Sequence, residues 1–195
     1  MKKIILFLFS ALSITALVPV ASAVVMTGAI TCGTDQRTAT LSSAQVCAIG
    51  EGNTQGNGST INGHYGDTWT GVGSLEAEGT NNFLTSALTD GNWGDQNVDG
   101  TWAIDSSFWA TYAEAVISIH VGNGGGSPDH FAWLITANEL SGTWSYDKLS
   151  GNGGGLSNMK LWGRGEAVDI PEPAPMALFL IGLLSLAAMR KSKKA

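Results

Sequence analysis

Along the chain, apolar positions recur at every second residue more readily than at helical spacing. In Ala115-Val116-Ile117-Ser118-Ile119-His120-Val121, Ile117, Ile119 and Val121 share one face of a β-branched segment, the signature of a strand. His130–Thr136 and Met159–Arg164 carry the same pattern, and "TWTGVGSLEA" and "GTWAI" carry a weaker form of it. No segment between Val24 and Ile170 sustains a helical apolar period. Breaks rich in Gly, Asn and Ser ("GEGNTQGNGST", "GNGGGSPD", "SGNGGGLSN") separate the apolar segments. The pentapeptide GNGGG occurs twice, at Gly122–Gly126 and Gly151–Gly155, and its place between strands predicts two hairpin loops. Short strands with frequent turns predict an all-β fold, a single antiparallel β-sandwich of jelly-roll type. The polar stretch "TGAITCGTDQRTATLSSAQVCAIG" predicts an N-terminal hairpin stapled by its two cysteines.

Both ends of the chain break this pattern. A basic "MKK" precedes the apolar run "IILFLFSALSITALVPV", and small residues follow at Ala21-Ser22-Ala23. A basic region, an apolar core and an A-x-A site predict a secretory signal peptide over residues 1–23, cut by signal peptidase after Ala23. An uncleaved anchor helix is the competing reading; the Pro19 break and the A-x-A site argue against it. At the other end, residues 170–195 hold Pro171-Glu172-Pro173, then sixteen uncharged residues from Ala174 to Met189, then Arg190, Lys191, Lys193 and Lys194. A bilayer-spanning helix takes about 17–25 residues, so this run is just under the usual length. Its lack of a polar face argues for a transmembrane helix over a buried core helix. Basic residues beside a span stay cytoplasmic, which puts the tip inside and the 24–169 body outside.

Pro-Glu-Pro, a short span and a basic cluster, in that order, resemble the PEP-CTERM sorting signal of exosortase substrates. The resemblance covers the last 26 residues. It implies a Gram-negative bacterium, export across the inner membrane and transient anchoring by the C-terminal helix. An exosortase-type membrane peptidase would then process the tail, leaving the body at the cell surface or in the extracellular matrix. Pro171 and Pro173 suit that role, because each disfavours helix and leaves an extended segment a protease can grip. A plain single-span anchor is the alternative. The implied function is that of a non-enzymatic surface or biofilm-matrix protein.

Charge sharpens this picture once the ends are set aside. The body keeps four basic residues (Arg37, Lys148, Lys160, Arg164) against fifteen acidic ones, a net charge of −11. Such a surface repels phosphate backbones and excludes nucleic acid as a partner. Cys32 and Cys47, the only cysteines, both fall in the exported part, where a disulfide forms readily. Metal binding by the pair is the weaker reading, since no nearby histidine completes a ligand set.

Three patterns carry candidate chemistry. Seven tryptophans, between Trp69 and Trp162, either fill the core of a glycine-rich sandwich or stack on sugar rings. Trp93, within the polar "TDGNWGDQN", is the best candidate for contact with an exopolysaccharide. "DQNVDG" places Asp95, Asn97 and Asp99 at the first alternate positions of a calcium loop, with Asp90 close by. Position twelve of that loop is Ser106 rather than a glutamate, so an EF-hand is excluded and calcium competes with an ordinary Asx turn. No other cofactor is suggested. "LEAE" sets Glu76 and Glu78 on one face of an expected strand, a spacing shared by glycosidase carboxylates and by many solvent-facing pairs. The three histidines, His64, His120 and His130, form no recognisable motif. No catalytic residue is assigned.

Overall fold

The computed structural model describes residues 28–52, 58–122 and 126–166. The signal peptide, the Pro171-Glu172-Pro173 motif, the 174–189 span and the basic tip lie outside the described residues. Among the described residues, no helix is long and apolar enough to cross a membrane.

The body is all-β and antiparallel, as the period-two pattern predicts. Its strands are β1 (Gly28–Gly33), β2 (Arg37–Gly50), β3 (Thr70–Leu75), β4 (Gly79–Asn81), β5 (Leu84–Asp90), β6 (Asn97–Ile104), β7 (Glu114–Val121), β8 (His130–Ile135), β9 (Ser141–Lys148) and β10 (Leu156–Arg164). Two short helices, α1 (Ser59–Tyr65) and α2 (Ser106–Trp109), interrupt them. The strands form one continuous sheet rather than the two sheets of a sandwich, in the order β3-β10-β7-β8-β2-β9-β6-β5-β4, with β1 beside β2. The two ends of this path meet. Asn82 Nδ2 donates to the Val72 carbonyl at 3.1 Å, so β3 and the β4–β5 turn close the sheet into a nearly complete barrel. Closure of this kind removes most of the exposed sheet edge.

Strand chemistry explains which residues enter the barrel. β6 alternates Val98, Gly100, Trp102 and Ile104 inward with Asn97, Asp99 and Thr101 outward. β7 is buried on both faces, hence its nearly unbroken β-branched run. Ala115, Ile117, Ile119 and Val121 join the barrel core, whereas Val116 joins Ile61, Trp69, Ala132 and Trp162 in a smaller cluster beneath α1.

β2 bends sharply, and the disulfide shows how far. Cys32 lies opposite Ala39, yet its Cα is 6.4 Å from that of Cys47, eight residues further along β2. Eight residues of straight strand would span about 26 Å. The chain therefore turns a corner between these points, at Ser43, which adopts a left-handed conformation (φ 59°). The Cys32–Cys47 bond closes β1 across that corner. The stapled N-terminal hairpin is thus present, although its second strand is bent.

The two GNGGG segments have different roles. Residues 122–129 join the paired strands β7 and β8, as a hairpin loop should. The second segment joins β9 to β10, which are not neighbours in the sheet, so it crosses the barrel end instead. Gly126 of the first and Gly154 of the second lie against Arg37, which is buried and donates to the Pro128 carbonyl (2.9 Å) and to Asp129 (3.2 Å). A Cβ at Gly154 would stand 2.5 Å from Arg37 Nη2, and one at Gly126 2.9 Å. Gly154 also has φ +83°, so both sterics and backbone conformation require glycine there.

Candidate functional site

The sequence-predicted residues do not assemble into one site. Of the seven tryptophans, Trp69, Trp102, Trp133, Trp144 and Trp162 are buried, and Trp93 and Trp109 are half-buried. Trp93, the candidate for sugar contact, is half-buried rather than fully displayed on the surface. Its Nε1–H donates to the Ser157 carbonyl (3.1 Å), and its ring meets Trp144 edge-on at 6.2 Å. The indoles fill space, as a barrel lined by several glycines requires.

"DQNVDG" is not a loop wrapped around one point, because β6 begins at Asn97. Asn97 and Asp99 face outward from that strand. Asp95 precedes it, and its carboxylate accepts from both the backbone (2.8 Å) and the side chain (3.1 Å) of Asn92, closing a turn. Asn97 Oδ1 accepts from the Lys148 backbone N–H at 3.2 Å. Glu76 and Glu78 do not share a strand face either. They lie in the exposed link between β3 and β4, where Glu78 accepts from the Leu88 N–H at 3.3 Å. Among the described residues, no three His, Cys, Asp or Glu side chains come together to hold a metal.

The structure gathers the three histidines instead. His120 on β7 and His130 on β8 are register partners. α1 lies over their outward face and brings His64 Nε2 to 2.9 Å from His130 Nε2. Two anchors hold α1 in place: Tyr65 Oη donates to the Ala132 carbonyl (2.7 Å), and Arg164 Nη1 donates to the Tyr65 carbonyl (2.7 Å). Gly50 completes the arrangement, since a Cβ there would stand 2.7 Å from His130 Cε1 and 3.5 Å from His64 Cε1.

Hydrogen bonding fixes the tautomers. His130 Nδ1 stands 3.0 Å from the Gly52 carbonyl, which can only accept, so Nδ1 carries the proton. In the neutral ring the His130 Nε2 lone pair then faces His64, whose Nε2–H donates to it. Beyond His130 the same row continues through His120 to Asn158 on β10. Asn158 is fully buried with neither amide atom partnered, and His120 Nδ1 is also buried and unpartnered. Sequence reasoning missed this row because its members lie far apart in the chain, His64 being 66 residues before His130.

Burial pushes all three imidazole pKa values below 6.5. Around His120 the Asp129 carboxylate opposes that shift, while Arg37 and Lys160 reinforce it. At His130 the Gly52 carbonyl and Asp129 oppose it, and His64 and His120 reinforce it. Groups with depressed folded pKa values bind more protons when unfolded, so their contribution to stability is complete above about pH 6.5 and is lost on acidification. The urea midpoint of metal-free protein is therefore expected to fall between pH 7.5 and 5.5, with a shallower fall in His64→Gln. A midpoint that is flat or rises across that window would contradict the burial of the cluster.

Two shallow recesses mark the outer surface. One, of roughly 280 Å³, lies on the closure seam over Ser74, Asn81, Asn82, Lys160 and Trp162. The other, of roughly 330 Å³, lies over Thr40, Asp99, Thr143 and Ser145. Set against known protein families, curated proteins and solved structures, the chain matches none of them.

Proposed function

We propose that this chain is an exported, non-enzymatic surface or matrix protein whose barrel-like body is delivered outside the inner membrane. Signal peptidase cuts after Ala23, the 174–189 segment holds the precursor in the membrane, and an exosortase-type peptidase acts at Pro171-Glu172-Pro173. The observation that carries the reading is the Cys32–Cys47 disulfide, within a body bracketed by an N-terminal signal pattern and a C-terminal apolar run. Disulfides persist in oxidising compartments, and this one fastens the strand that would first emerge from the secretion machinery. The five buried tryptophans and the nearly closed sheet suit a durable extracellular part.

The tail provides the test. Replacing Pro171-Glu172-Pro173 with three alanines is expected to leave an uncleaved precursor held in the membrane, because the apolar run still inserts. Fractionation and immunoblotting of the producing cell would show it. Normal release of the triple-alanine protein would overturn the sorting role, and a wild-type chain that itself stays in the membrane would leave a plain anchor.

A further inference from the structure

We propose that His64 and His130 form a binding site for one divalent transition-metal cation of the zinc, copper or nickel class, held between their Nε2 atoms. The spacing is the first argument. Two imidazoles on one tetrahedral ion, each with a metal–nitrogen bond of about 2.0–2.1 Å, stand roughly 3.3 Å apart. The two Nε2 atoms are 2.9 Å apart and the ring centroids 5.2 Å, so a few tenths of an ångström of separation with a tilt of the His64 ring admits the ion. The proton on His64 Nε2 passes through solvent to its Nδ1, leaving both Nε2 lone pairs to the metal. His64 is only half-buried and sits on a seven-residue helix, so it can make that movement.

Orientation is the second argument. The Nδ1–H of His130 is held by the Gly52 carbonyl, which leaves Nε2 as the nitrogen with the free lone pair. Metal-binding histidines are commonly aimed by a backbone carbonyl in this way. Gly50 adds a steric condition, because any larger residue there would push the rings apart.

The surroundings select the kind of ion. Asp129, the carboxylate whose charge acts on His130 and His120, is already committed to Arg37 through Oδ1 and to the Gly52 N–H through Oδ2. Calcium and magnesium, which need several oxygen ligands, are therefore disfavoured, whereas imidazole nitrogen suits zinc, copper and nickel. Water completes the coordination on the open side. The adjoining unpartnered polar atoms of His120 and Asn158 are the buried groups that ordered water or a hydrated ion would satisfy. His64 and His130 come from α1 and β8, and His120 is the register partner of His130 on β7.

The test uses the full chain, purified without an affinity tag and stripped with EDTA. Zinc is expected to bind with a stoichiometry of one. At a hundredfold excess over the dissociation constant, it should raise the melting temperature by about 5–10 °C, with no matching rise in magnesium or calcium. Copper(II) should give an electron paramagnetic resonance spectrum with two equivalent nitrogens. His64→Ala should abolish both signals. His64→Gln should abolish them too while keeping a hydrogen bond to His130, which separates lost ligation from lost folding. Equal stabilisation by calcium, or zinc binding that survives both His64 variants, would overturn the proposal.

Discussion

Trp133→Ala is expected to destabilise the protein by about 3–5 kcal/mol, the usual range for removing a fully buried tryptophan. Trp133 has no exposed surface, and its ring stacks on Phe131 with centroids 6.0 Å apart and planes 12° from parallel. Its Nε1–H donates to the Ile30 carbonyl at 3.0 Å, tying β1 to the barrel interior. Truncation therefore opens a large cavity and strands a backbone acceptor at once. Trp133→Phe keeps most of the volume and loses the donor, so it should cost less, about 1–3 kcal/mol. For a domain of this size the alanine variant should melt roughly 6–20 °C lower. A fall of only a degree or two would mean that the barrel core is not packed as described.

The second large effect concerns the corner of β2. Replacing both Cys32 and Cys47 with serine is expected to cost about 3 kcal/mol, the chain-entropy value for a loop closed over about 15 residues. The melting temperature should fall by roughly 6–12 °C, and a reducing agent should lower the wild-type value by the same amount. The loss should be local as well as global. Amide exchange should accelerate first in Gly28–Gly33, because without the disulfide β1 is held by its pairing with β2 and by the Trp133 hydrogen bond. Free thiols at both positions in carefully alkylated secreted protein would refute the bond, as would an unchanged melting temperature in the double variant.

Some elements were plain in the sequence and others were masked by their partners. β7, β8 and β10 announce themselves because apolar residues alternate along them, β-branched in β7, aromatic in β8 and Met, Leu and Trp in β10. β9 carries the same signal in Gly142, Trp144 and Tyr146, diluted by the Ser, Thr and Asp residues that face water. β5 is harder to see, since its inward residues include Ser86. That hydroxyl is buried because it accepts the Trp144 Nε1–H at 3.1 Å, a partner 58 residues away. α1 has only Ile61 fully buried and shows no amphipathic period; it exists because Ile61 and Trp69 cover Val116, Ala132 and Trp162.

By itself, then, the sequence determined what alternation and composition can record: an antiparallel all-β body, the pairing of its only two cysteines, an acidic surface, and two apolar ends unlike the body between them. These are local or additive properties, legible one segment at a time. Tertiary structure decided the rest. It curled the strands into one nearly closed sheet, turned five of the seven tryptophans inward, brought Gly126 and Gly154 onto Arg37 and set His64 of α1 over His130, beside His120. Strand order depends on pairings between distant segments, and a pairing leaves no periodic trace in either strand alone. Whether a polar side chain is buried depends on which distant element covers it, so the histidine row exists only once the sheet has closed.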